Sequence, residues 1–324
     1  PFDIPEKILN LWKKNGLRNI DERKSWEKIF SNSVYYQEIT DLLQNKHVLN
    51  IEEKLDIEQG SIFCRDDFEH VTYNATSDLA YCAGFDGDIY EMDPNTLLVK
   101  RIVWTAPFKM RWISSLKENP NLLIFHCFNG SIYKLNISTK EINEFKPDNQ
   151  PWSIWTSAKN NGNIYFAGEG NKIIKYKLKV NSNIDSTTEL ELIEKFENIK
   201  STSFTKRMYF SEKNLIISEK NGKIFALKNN KFEHIIDLSE EIRDICINKT
   251  INHLYACTER GNIHSIDLNS NQIINIFNSK RNKPIWSLAL QERSNLLAAA
   301  ESHGEISILN LLSMKELKHQ KLIS

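Results

Sequence analysis

Six times this chain places a polar turn built on glycine between two β-rich runs. The segments are Phe85-Asp86-Gly87-Asp88-Ile89-Tyr90, Phe128-Asn129-Gly130-Ser131-Ile132-Tyr133, Glu169-Gly170-Asn171-Lys172-Ile173-Ile174, Lys220-Asn221-Gly222-Lys223-Ile224-Phe225, Glu259-Arg260-Gly261-Asn262-Ile263-His264 and Ser302-His303-Gly304-Glu305-Ile306-Ser307. Asp-Gly, Asn-Gly and Gly-Asn supply the positive φ values that a two-residue hairpin requires. Each turn follows a first strand, a polar turn and a second strand, and leads into a third strand of alternating apolar residues. With Asn171 standing for the third turn, the spacings are 43, 41, 51, 39 and 43 residues. A supersecondary unit repeated at that interval cannot bury its own apolar faces and must stack on its neighbours.

A period of about 40 to 45 residues is the length of a four-stranded propeller blade. The expected fold is therefore all-β, a β-propeller of six to seven four-stranded blades. Six repeats are plain. Residues 48–67, with Leu55-Asp56-Ile57-Glu58 and Ser61-Ile62-Phe63-Cys64, form a further β-like stretch. It either supplies a strand that closes the ring against the Ile306–Leu309 region or is the remnant of a seventh blade. Seven blades, one of them irregular, are preferred, since an open ring leaves an edge strand unpaired. The stretch 180–188 is polar and reads as a protruding loop.

Over about residues 48–324 the pattern resembles the WD-repeat β-propeller family. The third strands close with Met92-Asp93, Leu135-Asn136, Tyr176-Lys177, Leu227-Lys228, Ile266-Asp267 and Leu309-Asn310, so the family's Trp is missing from each. Its structural Asp before the turn glycine survives only as Asp86, and its Gly-His dipeptide is absent. The resemblance is to a divergent member, expected to lack the family's hydrogen-bonded tetrad.

Residues 1–47 read as a helical extension. Asp3 and Glu6 have capping-box spacing with Pro5 in the first turn, and Ile8, Leu9, Leu11 and Trp12 make an apolar stripe. Shorter stripes follow with Trp26, Ile29 and Phe30, then Tyr36, Ile39, Leu42 and Leu43. They either cap the main domain or dock a partner.

The charge balance, 42 basic against 42 acidic residues, argues against a broad nucleic-acid or anionic-membrane surface. No run approaches a membrane span and no signal peptide is recognisable. Five cysteines without C-x-x-C or His at ligand spacing read as reduced thiols, and a cytoplasmic location is expected. No metal motif, phosphate loop or nucleophile elbow is present.

In a propeller, the start of each first strand and the turn after the second strand lie at one end of the disc. Counting back about 18 residues from the turns gives Trp286, Arg243, Phe204 and Trp112, then Trp152 with one extra residue, and Glu69 with His70 beside it. The resemblance implies partner contact at these positions and at the residues before the structural Asp, here Phe85, Phe128, Glu169, Lys220, Glu259 and Ser302. Aromatic residues with a few charges are the composition of binding hot spots. Some of these aromatics are expected to wedge between blades instead, and Trp155 and Trp104, out of register, to lie in the core.

The functional expectation is a binding module whose aromatic face grips a peptide or protein, with a small-molecule ligand also compatible. The alternative is a cofactor-free hydrolase, lyase or cyclase using the same basin, with Glu259, His303, Asp86 or Glu301 as acid or base.

Overall fold

The computed structural model describes residues 68–95, 98–106, 108–116, 119–145, 153–170, 172–180, 188–197, 203–212 and 214–321. The expected helical extension (1–47) and the β-like stretch at 48–67 lie outside them. The fold is an all-β propeller architecture of six four-stranded antiparallel blades. Blade 1 is β1 (Phe68–Asn74), β2 (Leu79–Gly84), β3 (Asp88–Met92) and β4 (Val99–Thr105). Blade 2 is β5 (Met110–Ser115), β6 (Leu122–Cys127), β7 (Ile132–Asn136) and β8 (Ile142–Phe145). Blade 3 is β9 (Ile154–Asn160), β10 (Asn163–Gly168), β11 (Lys172–Val180) and β12 (Thr188–Glu197). Blade 4 is β13 (Thr205–Phe210), β14 (Leu215–Glu219), β15 (Lys223–Lys228) and β16 (Lys231–Asp237). Blade 5 is β17 (Ile242–Asn248), β18 (His253–Thr258), β19 (Asn262–Asp267) and β20 (Gln272–Asn278). Blade 6 is β21 (Ile285–Gln291), β22 (Leu296–Glu301), β23 (Glu305–Asn310) and β24 (Lys315–Lys321).

The preferred count of seven is corrected: among the described residues there are six blades, each filled by four consecutive strands. Ile306–Leu309 falls inside β23, which is paired on both sides by β22 and β24, so no free edge exists there for a closing strand. Of the stretch expected to protrude, 180–188, residues 181–187 lie outside the described ones; Val180 and Thr188 at its ends are paired as the last residue of β11 and the first of β12, which are 9 and 10 residues long.

The chain divides into two compact units, Pro1–Ile124 with Leu135–Glu141, and Phe125–Lys134 with Ile142–Ser324. Within the second unit, blades stack face to face. Ile216, Ile224 and Ala226 of blade 4 meet Ile245, Ile247, Leu254 and Ala256 of blade 5. Cys246, Tyr255 and Cys257 of blade 5 meet Leu288, Leu297, Ala299 and Leu309 of blade 6. A middle strand covered on both faces has no solvent side to alternate with. The runs Leu122–Cys127 and Leu215–Glu219 are accordingly buried throughout.

The turn glycines serve two needs, as Gly222 and Gly261 illustrate. Their φ values are 97° and 81°, a region costly to residues with a Cβ. Each also lies beneath the loop that leaves its own blade for the next, where an added Cβ would stand 2.6 Å from the Glu240 carbonyl oxygen or 2.7 Å from that of Lys283.

Candidate binding surface

The first strands carry a shared irregularity that positions the surface. Pairing with the second strand slips by one residue near the start, leaving Glu69, Trp155, Lys206, Arg243 and Trp286 as the extra residues in blades 1, 3, 4, 5 and 6. A bulged residue leaves the ladder and its side chain is re-aimed. In the second unit the ladder resumes beyond each bulge: Glu169, Lys220, Glu259 and Ser302 donate their N–H to the carbonyls of Ser153, Phe204, Glu241 and Pro284 (2.9 to 3.1 Å). In blades 4, 5 and 6 the turn residues and first-strand starts singled out in the sequence therefore meet: Lys220 with Phe204, Glu259 with Arg243 and Ser302 with Trp286.

The four bulged residues of this unit form two cation–π pairs. The Lys206 ammonium lies 5.2 Å from the Trp155 ring centroid, and the Arg243 guanidinium 4.6 Å from that of Trp286. Trp155 stacks at 4.6 Å on Phe204 and lies 6.3 Å from Phe128, while Lys220 reaches over Phe204 at 5.5 Å. An ion-pair chain joins the two groups, running from Lys220 to Glu241 (3.6 Å), to Arg243 (3.0 Å) and to Glu259 (3.1 Å). Trp286 is 48% exposed, yet it is fixed: Arg243 covers one face and its Nε1–H donates to Ser302 Oγ at 2.9 Å.

One position after each bulge, side chains staple neighbouring first strands, whose inner edges have no ladder partner. Thr156 Oγ1 accepts the Met208 N–H (3.3 Å), and Arg207 Nε donates to Asp244 Oδ1 (3.2 Å). Asp244 Oδ2 accepts from Ser287 Oγ and the Leu288 N–H, both at 2.9 Å.

In the first unit, Glu69 is paired with Arg111 (3.1 Å), His70 sits 5.9 Å from Trp112, and Lys109 lies 3.7 Å over Phe85. Trp112 is only 7% exposed and belongs to the packed interior. Trp152 lies outside the described residues. Trp155, expected in the core, is half-buried, with its indole nitrogen enclosed and its ring against Phe204. The fixed count of 18 landed on the bulge in blades 1, 5 and 6 but two residues short of it in blade 4.

The acid and base candidates fall into different settings. Asp86 is engaged by its own turn, accepting from the Asp88 N–H and the Tyr90 hydroxyl. Glu259 is exposed and paired with Arg243, and His303 is exposed in the turn at φ 65°. Glu301 is buried, and Arg281 grips both its oxygens at 2.6 and 2.8 Å while Ser307 Oγ adds a bond at 2.6 Å. Burial works to raise its carboxyl, but the Arg281 and Ser307 hydrogen bonds hold it below the usual carboxylate range. Arg281 also reaches Glu316 (2.7 Å), so its guanidinium already fills the space among Glu301, Glu316 and His319, three side chains with metal-ligand chemistry. Blade 5 has a counterpart of opposite polarity: Glu240 accepts from Thr258 Oγ1 (2.7 Å) and Asn262 Nδ2 (2.9 Å). These loop-to-strand networks pin the incoming loop in blades 5 and 6.

Burial, with Asp244 adding to it, pushes the Cys246 and Cys257 thiols well up, which suits packing rather than nucleophilic chemistry. No helix among the described residues is long and apolar enough to cross a membrane. No protein-family model and no curated protein matches the chain.

Proposed function

We propose that this chain is a divergent WD-repeat-like propeller acting as a binding module, with the surface from Phe128 and Trp155 to Trp286 receiving a peptide or protein segment. The supporting observation is the state of Trp286, half exposed yet immobilised by Arg243 and Ser302. An aromatic ring presented to solvent and already ordered loses little conformational entropy on binding, which is what an interface anchor requires. Trp155 and Phe204 add a second aromatic contact. The surrounding charges are paired with one another, which suits a rim that sets orientation rather than a bulk electrostatic attractor.

The test is a peptide-display selection on the immobilised full chain, followed by affinity measurement of the selected peptides. Trp286→Ala is expected to weaken them by roughly tenfold or more while unfolding remains cooperative. Selected peptides that bind the wild type and Trp286→Ala equally would remove the proposal.

A further inference from the structure

The outermost strand of a propeller blade is an edge, and natural sheets usually guard edges with charge. Five of the six outer strands here follow that rule: β4 (VKRIVWT), β8 (INEF), β12 (TELELIEKFE), β16 (KFEHIID) and β24 (KELKHQK) all carry charged residues. The exception is β20, QIINIFN. It lies within an uncharged run of twelve residues, Leu268 to Ser279, in a chain that is 26% charged. On its inner side β20 pairs with β19, and it is the terminal strand of its sheet. Ile273, Ile274 and Ile276 are 39%, 50% and 42% exposed. The strand holds no proline, and its β-branched residues favour extended pairing.

We infer that β20 is an interaction edge whose occupant is a second copy of this chain, joined by antiparallel β20–β20 pairing across a two-fold axis. The charge pattern selects that partner. Two copies of β24 or β16 placed edge to edge would bring several charged side chains together with the desolvation this entails, whereas β20 offers its own copy neither repulsion nor an unpaired charge to bury. The pairing is self-complementary, as a two-fold interface demands. The extra residue Ile274 lies outside the inner ladder. A two-fold axis at the midpoint of Gln272–Asn278 sets Asn275 opposite its own copy and Ile274 opposite Ile276 of that copy.

The test uses the full chain in light scattering after size exclusion. The wild type is expected to show a concentration-dependent mass approaching twice the 37.8 kDa of one chain. Ile274→Lys combined with Ile276→Lys should return it to one chain mass with unchanged circular dichroism. Leu317→Lys, which adds charge to another exposed outer-strand position (59% exposed), should leave the dimer intact. As a readout independent of those variants, Asn275→Cys should form a disulfide-linked dimer on mild oxidation, since facing residues in such a pair are about 4.5 to 5.5 Å apart at Cα. Leu317→Cys and the wild type should not. A wild type that stays at one chain mass up to about 100 µM overturns the inference, as does a dimer indifferent to the double lysine substitution. A monomer that binds a different protein along β20 likewise overturns it.

Discussion

Arg281→Ala should be among the costliest single changes in blade 6. The Glu301 side chain is 0% exposed, and its two shortest charged contacts both come from Arg281, at 2.6 and 2.8 Å. Removing the guanidinium leaves a buried carboxylate supported by Ser307 at 2.6 Å and a weaker contact from Ser279 at 3.4 Å. Breaking a buried pair from one side costs about 3 to 5 kcal/mol. The two remaining hydroxyl donors, and the quarter exposure of Arg281, place the expected loss toward the lower end, about 3 kcal/mol at neutral pH. Urea unfolding gives the assay. In the wild type the lowered Glu301 carboxyl contributes stability that is complete above about pH 4.5 and is lost as pH falls through its depressed value. In the variant the carboxyl can protonate to escape its isolation, so the gap to wild type should narrow as pH falls from 7 to 5. Replacing both partners with apolar residues, Arg281→Met with Glu301→Leu, should recover at least half the loss. A loss under about 1 kcal/mol for Arg281→Ala, or a double variant equal to the sum of the singles, would refute the reasoning.

Trp112→Ala should cost about 3 to 5 kcal/mol, the usual effect of truncating a packed aromatic, whereas Trp286→Ala should cost under about 1 kcal/mol because half its surface is already in water; equal losses in urea unfolding would show that the two residues are not in different environments. His264 is buried, with Nε2 3.9 Å from Glu240 Oε1, and burial lowers its pKa against the opposing pull of Glu240. Its neutral form is therefore favoured by folding, giving stability present in full above about pH 6.5 and lost as pH falls through the depressed folded value. His264→Leu should make the decline in stability between pH 6.5 and 5 shallower than in the wild type, and parallel profiles would remove His264 as a contributor.

The blades were legible because their turn chemistry is local. A glycine at φ 97° or 81° under the loop that leaves its blade is needed whatever the rest of the chain does, so Asn221-Gly222 and Arg260-Gly261 mark hairpins without any long-range knowledge. Strand number per blade followed from spacing. The bulges were not legible, since a one-residue slip between Thr205 and Arg207 is set by how the first strand meets its hairpin and leaves no composition signal. Counting reached Phe204 rather than Lys206 because β13 and β14 are each one residue shorter than β17 and β18. The networks around Glu240 and Arg281 were hidden for a different reason: they join a loop to strands some 20 to 35 residues away, with the charged loop residue acidic in one blade and basic in the next.

The arrangement of charge on the proposed surface bears on how selectivity could arise there. Lys220, Glu241, Arg243 and Glu259 are spent largely on one another, and the two outer pairs, each with a solvent-exposed member, contribute about 0 to 1 kcal/mol each. Their larger effect is geometric, because Arg243 is held by two carboxylates while it covers one face of Trp286. A partner at the proposed surface would meet an indole whose orientation is already set and about half of which is exposed. On this reading Glu259 acts as a positioning residue through Arg243, and its loss should loosen Trp286 rather than remove a direct contact. The neutral total of 42 against 42 then has a local counterpart, with recognition resting on aromatic shape while paired charges keep that shape fixed.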